Sequence, residues 1–461
     1  VNVKAEKKIK HTHSKEPATN EINQLILLFN IGEYSQVENQ TRVLLNQHPR
    51  SGLLWKVLGA ALKMQGKEAI AALQCAADLL PHDAEAHSNL GAALRDTGQF
   101  DHAVASCERA IKIKPDFVEA LYNLGNAQQE LKQFSRALGS FQRVLQLNPD
   151  HAETLSNMGI ILLELGKPEE ALTCLKRALE INPGFSYAHC NLGSVLKKLG
   201  KTDEAVASYR RALEINPDYA DAHSNLGFIL LELHQYNDAI TSLQRTLEIN
   251  PEHTDALCNL SSAQLGLGLL DDAATSCRRL LEIDPAYVAA HFNLGNALLQ
   301  LGKLEEAVSS FSKAVEIDPE LSGAHCNLGT ALLQLGKIDE SRQSSLRALE
   351  INPESPEAYC NLGTAQQALG NIDEAILSYR RSREINPDFD LAHSSLLFFL
   401  FHKYGVSREE IIAEHTGFGE RFEAPLRGSW PHHTNDRDPQ KRLQIGFVSG
   451  DLRSHAIARL I

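Results

Sequence analysis

The sequence predicts an all-α fold of stacked helical hairpins, and three observations carry that prediction. Ten prolines, Pro81, Pro115, Pro149, Pro183, Pro217, Pro251, Pro285, Pro319, Pro353 and Pro387, recur every 34 residues. Each interval holds two helical segments, and such a hairpin cannot bury its apolar face alone, so neighbours must stack into a solenoid. Composition agrees: 43% of residues are hydrophobic and only 6% aromatic, which suits Ala/Leu-packed helices better than a β fold.

Taken in order, residues 1–17, with Lys4, Lys7, Lys8, Lys10 and Lys15, read as a polar, disordered tail. Eleven repeats are expected over 18–389. The first, 18–51, is degenerate but keeps Gly32 and Pro49 in register. The second, 52–83, is two residues short, and the deletion most simply falls in the turn after Gly66. Its Trp55, Leu58 and Gly59 form a W-x-x-L-G core, which with the period of 34 resembles the tetratricopeptide repeat. Nine repeats of 34 follow, from 84–117 to 356–389.

Gly91, Gly125, Gly159, Gly193, Gly227, Gly295, Gly329 and Gly363 fall mid-helix. Glycine there costs about 1 kcal/mol against alanine, so a side chain is expected to block close helix packing. Ser261 is the one small substitute. Gly98, Gly166, Gly200, Gly268, Gly302, Gly336 and Gly370 end the first helix, where a left-handed cap favours glycine. Ala103, Ala137, Ala171, Ala205, Ala239, Ala273, Ala307 and Ala375 supply the small residue where the two helices cross.

After Asp390 the pattern fails, with Ser395 and Leu397 in place of the expected Asn and Gly. Ser407-Arg408-Glu409-Glu410 reads as a capping box opening a helix to about Phe422, so 390–423 are transition helices. A linker rich in Pro, His, Asn and Asp spans 424–442. Leu443-Gln444-Ile445-Gly446-Phe447-Val448 then reads as a buried strand ending at Ser449-Gly450-Asp451. Residues 443–461 are therefore expected to be the stub of an α/β domain. The chain begins at Val1, which fits a fragment or an unusual start codon.

A net charge of −13 argues against nucleic acid as a partner. No run of about 18 apolar residues exists, so no membrane span is expected. No secretory signal is recognised, which points to the cytoplasm. The eight cysteines contain no C-x-x-C pair; Cys190, Cys258, Cys326 and Cys360 alternate with Ser88, Ser156 and Ser224 at one repeat position, as small packing residues do.

The candidate binding residues are Asn89, Asn123, Asn157, Asn191, Asn225, Asn259, Asn293, Asn327 and Asn361, the sixth residue of all nine regular repeats. Asparagine is a mediocre helix former, so this recurrence has a cause beyond propensity. One reading is a column of amides that grips the backbone of an extended polypeptide. The other is that each amide bonds neighbouring helix backbone and holds the superhelical pitch. Glu85, Glu119, Glu153, Asp221, Asp255 and Glu357 lie four residues earlier, either on the same groove or as helix-dipole partners. His87, His189, His223, His291, His325 and His393 recur once per repeat. Helices packed about 8–10 Å apart cannot converge them on one metal, so packing is their expected role and no metal site is expected.

Arg442-Leu443-Gln444-Ile445-Gly446-Phe447-Val448-Ser449-Gly450-Asp451-Leu452-Arg453-Ser454-His455, after a long repeat array and a Pro-rich linker, resembles the protein O-linked N-acetylglucosamine transferases, especially bacterial ones. Glu414-His415, Gly419-Glu420-Arg421-Phe422 and Pro425-Leu426 resemble the segment before the catalytic domain there. The resemblance implies that the strand opens a two-lobed glycosyltransferase of the GT-B type. It implies transfer of sugar from UDP-GlcNAc to Ser or Thr of a protein held partly by the asparagine column, with His455 at the active site. Ala456 stands where the family usually has Pro, Leu452 replaces an aromatic, and Gly323 and Leu391 replace acidic residues that help choose substrates. Residues for the donor would lie beyond Ile461, so no cofactor is expected in this chain and the chain as given is expected to be inactive. A non-enzymatic interaction scaffold, or a related transferase using another sugar such as fucose, are the alternative readings.

Overall fold

Helices follow one another with short turns through the whole of the described residues, 17–402 and 405–425 of a computed structural model. Among them are 24 α-helices, a closing π-helical turn and no strand. The expected strand at 443–448 and His455 lie outside the described residues. The chain divides into two units, 1–303 and 304–461.

In the first unit the helices pair as hairpins: α1 (Thr19–Asn30) with α2 (Tyr34–Gln47), α3 (Gly52–Met64) with α4 (Ile70–Leu79), and α5 (Ala84–Asp96) with α6 (Phe100–Ile113). Next come α7 (Val118–Glu130) with α8 (Phe134–Leu147), α9 (Ala152–Glu164) with α10 (Pro168–Ile181), and α11 (Ser186–Lys198) with α12 (Thr202–Ile215). Then follow α13 (Ala220–Glu232) with α14 (Tyr236–Ile249), α15 (Thr254–Gly266) with α16 (Leu270–Ile283), and α17 (Val288–Gln300). The second unit holds α18 (Leu304–Ile317), α19 (Ser322–Gln334) with α20 (Ile338–Ile351), α21 (Pro356–Ala368) with α22 (Ile372–Ile385), α23 (Asp390–His402) and α24 (Arg408–Phe418).

The crossing of each hairpin explains its glycine. A Cβ at Gly193 would lie 2.6 Å from the Tyr209 ring, and one at Gly159 would lie 2.7 Å from Leu175. Phe141, Leu243 and Tyr379 fill the same place against Gly125, Gly227 and Gly363. The large side chain of the second helix thus lies on bare backbone of the first, and Ala137, Ala171, Ala205, Ala239 and Ala375 beside it are fully buried. In the hairpin of α19 and α20 the filler is only Ser345, whose hydroxyl is buried against Gly329 without a hydrogen-bond partner among the described residues.

Turns between hairpins are held by side chains. Asn182, Asn216, Asn250, Asn352 and Asn386, with Asp284 and Asp318 at the same site, accept from the backbone N–H two residues on, across the proline. Such a turn satisfies polar backbone that the proline cannot. The two-residue deletion removes the start of the second helix: α4 has 10 residues where α6 has 14.

The turns inside hairpins need a left-handed residue. Gly166 and Gly302 have φ of 72° and 73°, and Lys132 and His234 adopt φ 57° at the equivalent place. A residue with a Cβ is strained there by roughly 1–2 kcal/mol. Lys132→Gly is therefore expected to raise the local opening free energy of the α7–α8 hairpin by about 1 kcal/mol. Native-state hydrogen exchange checks this, with Lys132→Ala, which keeps the strain, showing no such gain.

Candidate polypeptide-binding wall

First helices pack on one another as well as on their own partners. In the first unit α3, α5, α7, α9, α11, α13, α15 and α17 touch in succession, and in the second unit α19, α21 and α23 do. Among the described residues no two second helices pack as closely, so the first helices form the tighter, inner wall of each unit. The asparagines lie on this wall, Asn89 to Asn293 in the first unit and Asn327 with Asn361 in the second.

At six of the nine positions the asparagine ties its first helix to the one before it. Asn157 Nδ2 donates to Asn126 Oδ1 at 2.8 Å and to the Tyr122 hydroxyl at 3.3 Å. Asn191 donates to Ser156 Oγ at 3.1 Å and Asn225 to Cys190 Sγ at 3.6 Å. Asn293 donates to Ser261 and Ser262, both at 3.0 Å, and Asn361 to Cys326 O at 3.1 Å and Thr330 Oγ1 at 2.9 Å. Asn123 instead accepts from Arg95 at 3.3 Å. The partners are mostly side chains rather than helix backbone. At Asn157, Asn225, Asn293 and Asn361 the Oδ1 meets no donor among the described residues. Asn89 and Asn259 make no hydrogen bond among those residues and are half-buried.

Part of the sequence signal for these ties was the Ser/Cys alternation, which packing alone does not explain. Ser156, Cys190 and Cys326, each the fifth residue of its repeat, accept from the sixth residue of the next. Burial pushes the Cys190 and Cys326 thiols up to about 11 and that of Cys360 to about 12, so they serve as neutral thiols.

The histidines have a separate task. Nε2 of His189, His223, His291 and His325 donates to the carbonyl of Pro183, Pro217, Pro285 and Pro319 at 3.0–3.1 Å. Each ring thereby clamps the proline that precedes its own first helix. His87 makes a longer bond of 3.4 Å to Pro81. His393 departs from the pattern: it is 5% exposed, both ring nitrogens lack a hydrogen-bond partner among the described residues, and Glu414 lies 3.7 Å away. Arg383 pairs with the same Glu414, and Arg380 with Glu410, so α24 is fastened to α22 by ion pairs. Among the described residues no group of three or more His, Cys, Asp or Glu could hold a metal ion, and no helix is long and apolar enough to cross a membrane.

The acids on the wall are unevenly neutralised. Lys56 bonds Asp83 at 2.9 Å and Glu85 at 2.8 Å, and those bonds hold the Lys56 amine above its usual range against the effect of burial. Asp255 accepts from the Tyr287 hydroxyl at 3.1 Å. Glu119 and Asp221 have no ion-pair partner among the described residues.

Tetratricopeptide-repeat models match the chain at many places. One described as TPR repeat matches 91–132, 193–234, 295–336 and 329–370. Others described as tetratricopeptide repeat match 116–183, 174–207, 220–253, 264–309 and 356–389. Together they run over 91–253 and 264–389, well over half of the chain, and the chain belongs to the tetratricopeptide-repeat proteins. No curated protein matches it. Among solved structures it is similar to YrrB, described as a TPR protein with an unusual peptide-binding site, at 27% identity over 40% of this chain and 95% of that one, with a TM-score of 0.37. It is similar to MamA at 26% identity over 36% of this chain and 92% of that one, TM-score 0.32. It is also similar to TTC0263, a thermophilic TPR protein of Thermus thermophilus, at 27% identity over 40% and 99%, TM-score 0.34.

The ties of the wall differ in what their loss should cost. Asn361→Ala removes bonds to two partners and is expected to cost the α21–α22 hairpin about 0.5–1.5 kcal/mol by hydrogen exchange. Asn259→Ala breaks none and is expected to change α15–α16 by less than about 0.5 kcal/mol. Burial holds His87 and His393 below the usual histidine range, helped at His393 by the Arg383 charge. Stability from these neutral rings is full above the unfolded value of about 6.5 and is lost as pH falls below it. Urea midpoints should therefore drop between about pH 7 and about pH 5, and drop less in a His87→Gln, His393→Gln variant.

Proposed function

We propose that the chain is a protein-interaction scaffold whose inner wall grips extended polypeptide. The observation that carries this is the recurring asparagine whose Nδ2 is engaged by the preceding repeat while Oδ1 is left without a donor. An unsatisfied amide oxygen on every second first helix of the first unit, at Asn157, Asn225 and Asn293, matches N–H groups of a chain lying across them. Neighbouring first helices about 8–10 Å apart put these oxygens about 16–20 Å apart, so an extended chain of about 3.3–3.6 Å per residue makes one such contact per roughly five residues. Such contacts read backbone, so they tolerate many sequences.

A second reading is favoured by Arg442 to His455, which resemble the start of a protein O-GlcNAc transferase catalytic domain. In that reading the wall recruits Ser/Thr-containing segments for transfer from UDP-GlcNAc, and His455 accepts the hydroxyl proton. A related enzyme using fucose shares the layout.

Asn89→Ala with Asn259→Ala breaks no hydrogen bond of the fold, so it separates binding from stability. Affinity for a fluorescein-labelled, unstructured Ser/Thr-rich peptide is expected to fall about fivefold, at unchanged melting temperature. Undiminished affinity would sink the groove reading. UDP-GlcNAc turnover by a chain extended past Ile461, lost on His455→Ala, tests the second reading.

A further inference from the structure

One depression of the wall is set apart by its cluster of aromatic rings. Between α7, α9 and α11 lies an open cavity of about 330 Å³, lined by Tyr122, Phe185 and Tyr187 together with Gln129, Glu130 and Glu153. Phe185 and Tyr187 have ring centroids 6.0 Å apart, and Tyr187 lies 6.5 Å from Tyr219 in a stacked arrangement. Tyr187 is 37% exposed, so its ring is presented to whatever lies on the wall.

Several polar atoms around these rings are acceptors, beside the Asn126 amide, whose Oδ1 is taken by Asn157 and whose Nδ2 is a donor. Gln129 Oε1 is buried without a hydrogen-bond partner among the described residues. Asn157, which also lines the cavity, has spent its Nδ2 on Asn126 and Tyr122 and offers only Oδ1. Glu130 has no cation beside it among the described residues, and Glu153 has only His151 at 3.3 Å. Arg95, the one cation of the lining, is engaged by Asp96 at 2.7 Å and by Asn123 at 3.3 Å.

Aromatic faces, two carboxylates and an orphaned carbonyl together call for a cation that donates several hydrogen bonds and stacks. We propose that this cavity is a subsite for an arginine side chain of the bound polypeptide. The guanidinium is planar, stacks on aromatic rings and donates in a fork, whereas a lysine ammonium is a compact, strongly hydrated charge. A cation within about 6 Å of a ring centroid adds attraction to the ring face. The subsite rests on the groove reading and gives it a side-chain preference in the first unit, where Asn157 marks the path of the backbone.

The test uses the full chain and two fluorescein-labelled peptides of Gly, Ser and Thr, one with a central arginine and one with citrulline, its uncharged isostere. The arginine peptide is expected to bind at least about fivefold tighter, and Glu130→Gln with Glu153→Gln is expected to abolish that preference. Both carboxylates are exposed, so the variant keeps its fold, which circular dichroism verifies. Equal binding of the two peptides, or a preference that survives in the variant, overturns the subsite and leaves the groove reading standing. Binding of neither peptide overturns both.

Discussion

The crossing of most hairpins, where a large side chain of the second helix rests on a backbone without a Cβ, is the constraint on which the rest depends. It sets how closely the two helices approach, and hence the angle at which the next hairpin must join. Tyr209 on Gly193 and Leu175 on Gly159 show that the filler varies in shape while the glycine stays. The glycine's helix-propensity cost, about 1 kcal/mol, is offset by burying a whole aromatic or leucine side chain, worth roughly 1.5–3 kcal/mol.

With that distance fixed, first helices come near enough to one another for short side chains to span the gap. An asparagine amide reaches a serine, cysteine or threonine of the preceding helix, as Asn191 reaches Ser156 and Asn361 reaches Thr330. The same amide therefore aligns the wall and leaves a carbonyl on its surface. One side chain thus serves the structure and the proposed recognition, except at Asn89 and Asn259, where no tie is made among the described residues and the two roles separate. On the second-helix side, Arg177, Arg245, Arg347 and Arg381 bridge to Asp150, Asp218, Glu320 and Glu354. These pairs are exposed and screened by solvent, so they add little to stability.

Much of this was legible because the regular repeats sample each position again and again. Mid-helix glycines, crossing alanines and capping glycines stand out against propensity, and each has a local physical cause in the fold. Lys132 and His234 did not stand out, since nothing in a lysine or histidine announces a left-handed backbone. The inter-repeat ties were hidden for another reason: donor and acceptor lie 31 to 35 residues apart, and the acceptor changes between Ser, Cys, Thr and Asn. The histidine clamp was hidden too, because its acceptor is a proline carbonyl that looks the same in every sequence. The arginine subsite depends on where a helix turn carries Gln129 and Tyr187, which periodicity alone does not specify.

Ser345 is the smallest of the side chains at these crossings, so it buries the least apolar surface there. In a row of units that hold only their neighbours, resistance to pulling is that of the poorest joint. Stretched end to end, the second unit would yield first around α19 and α20, letting its flanking helices swing while their own cores stay intact. A single serine is thereby expected to set where the second unit first gives way.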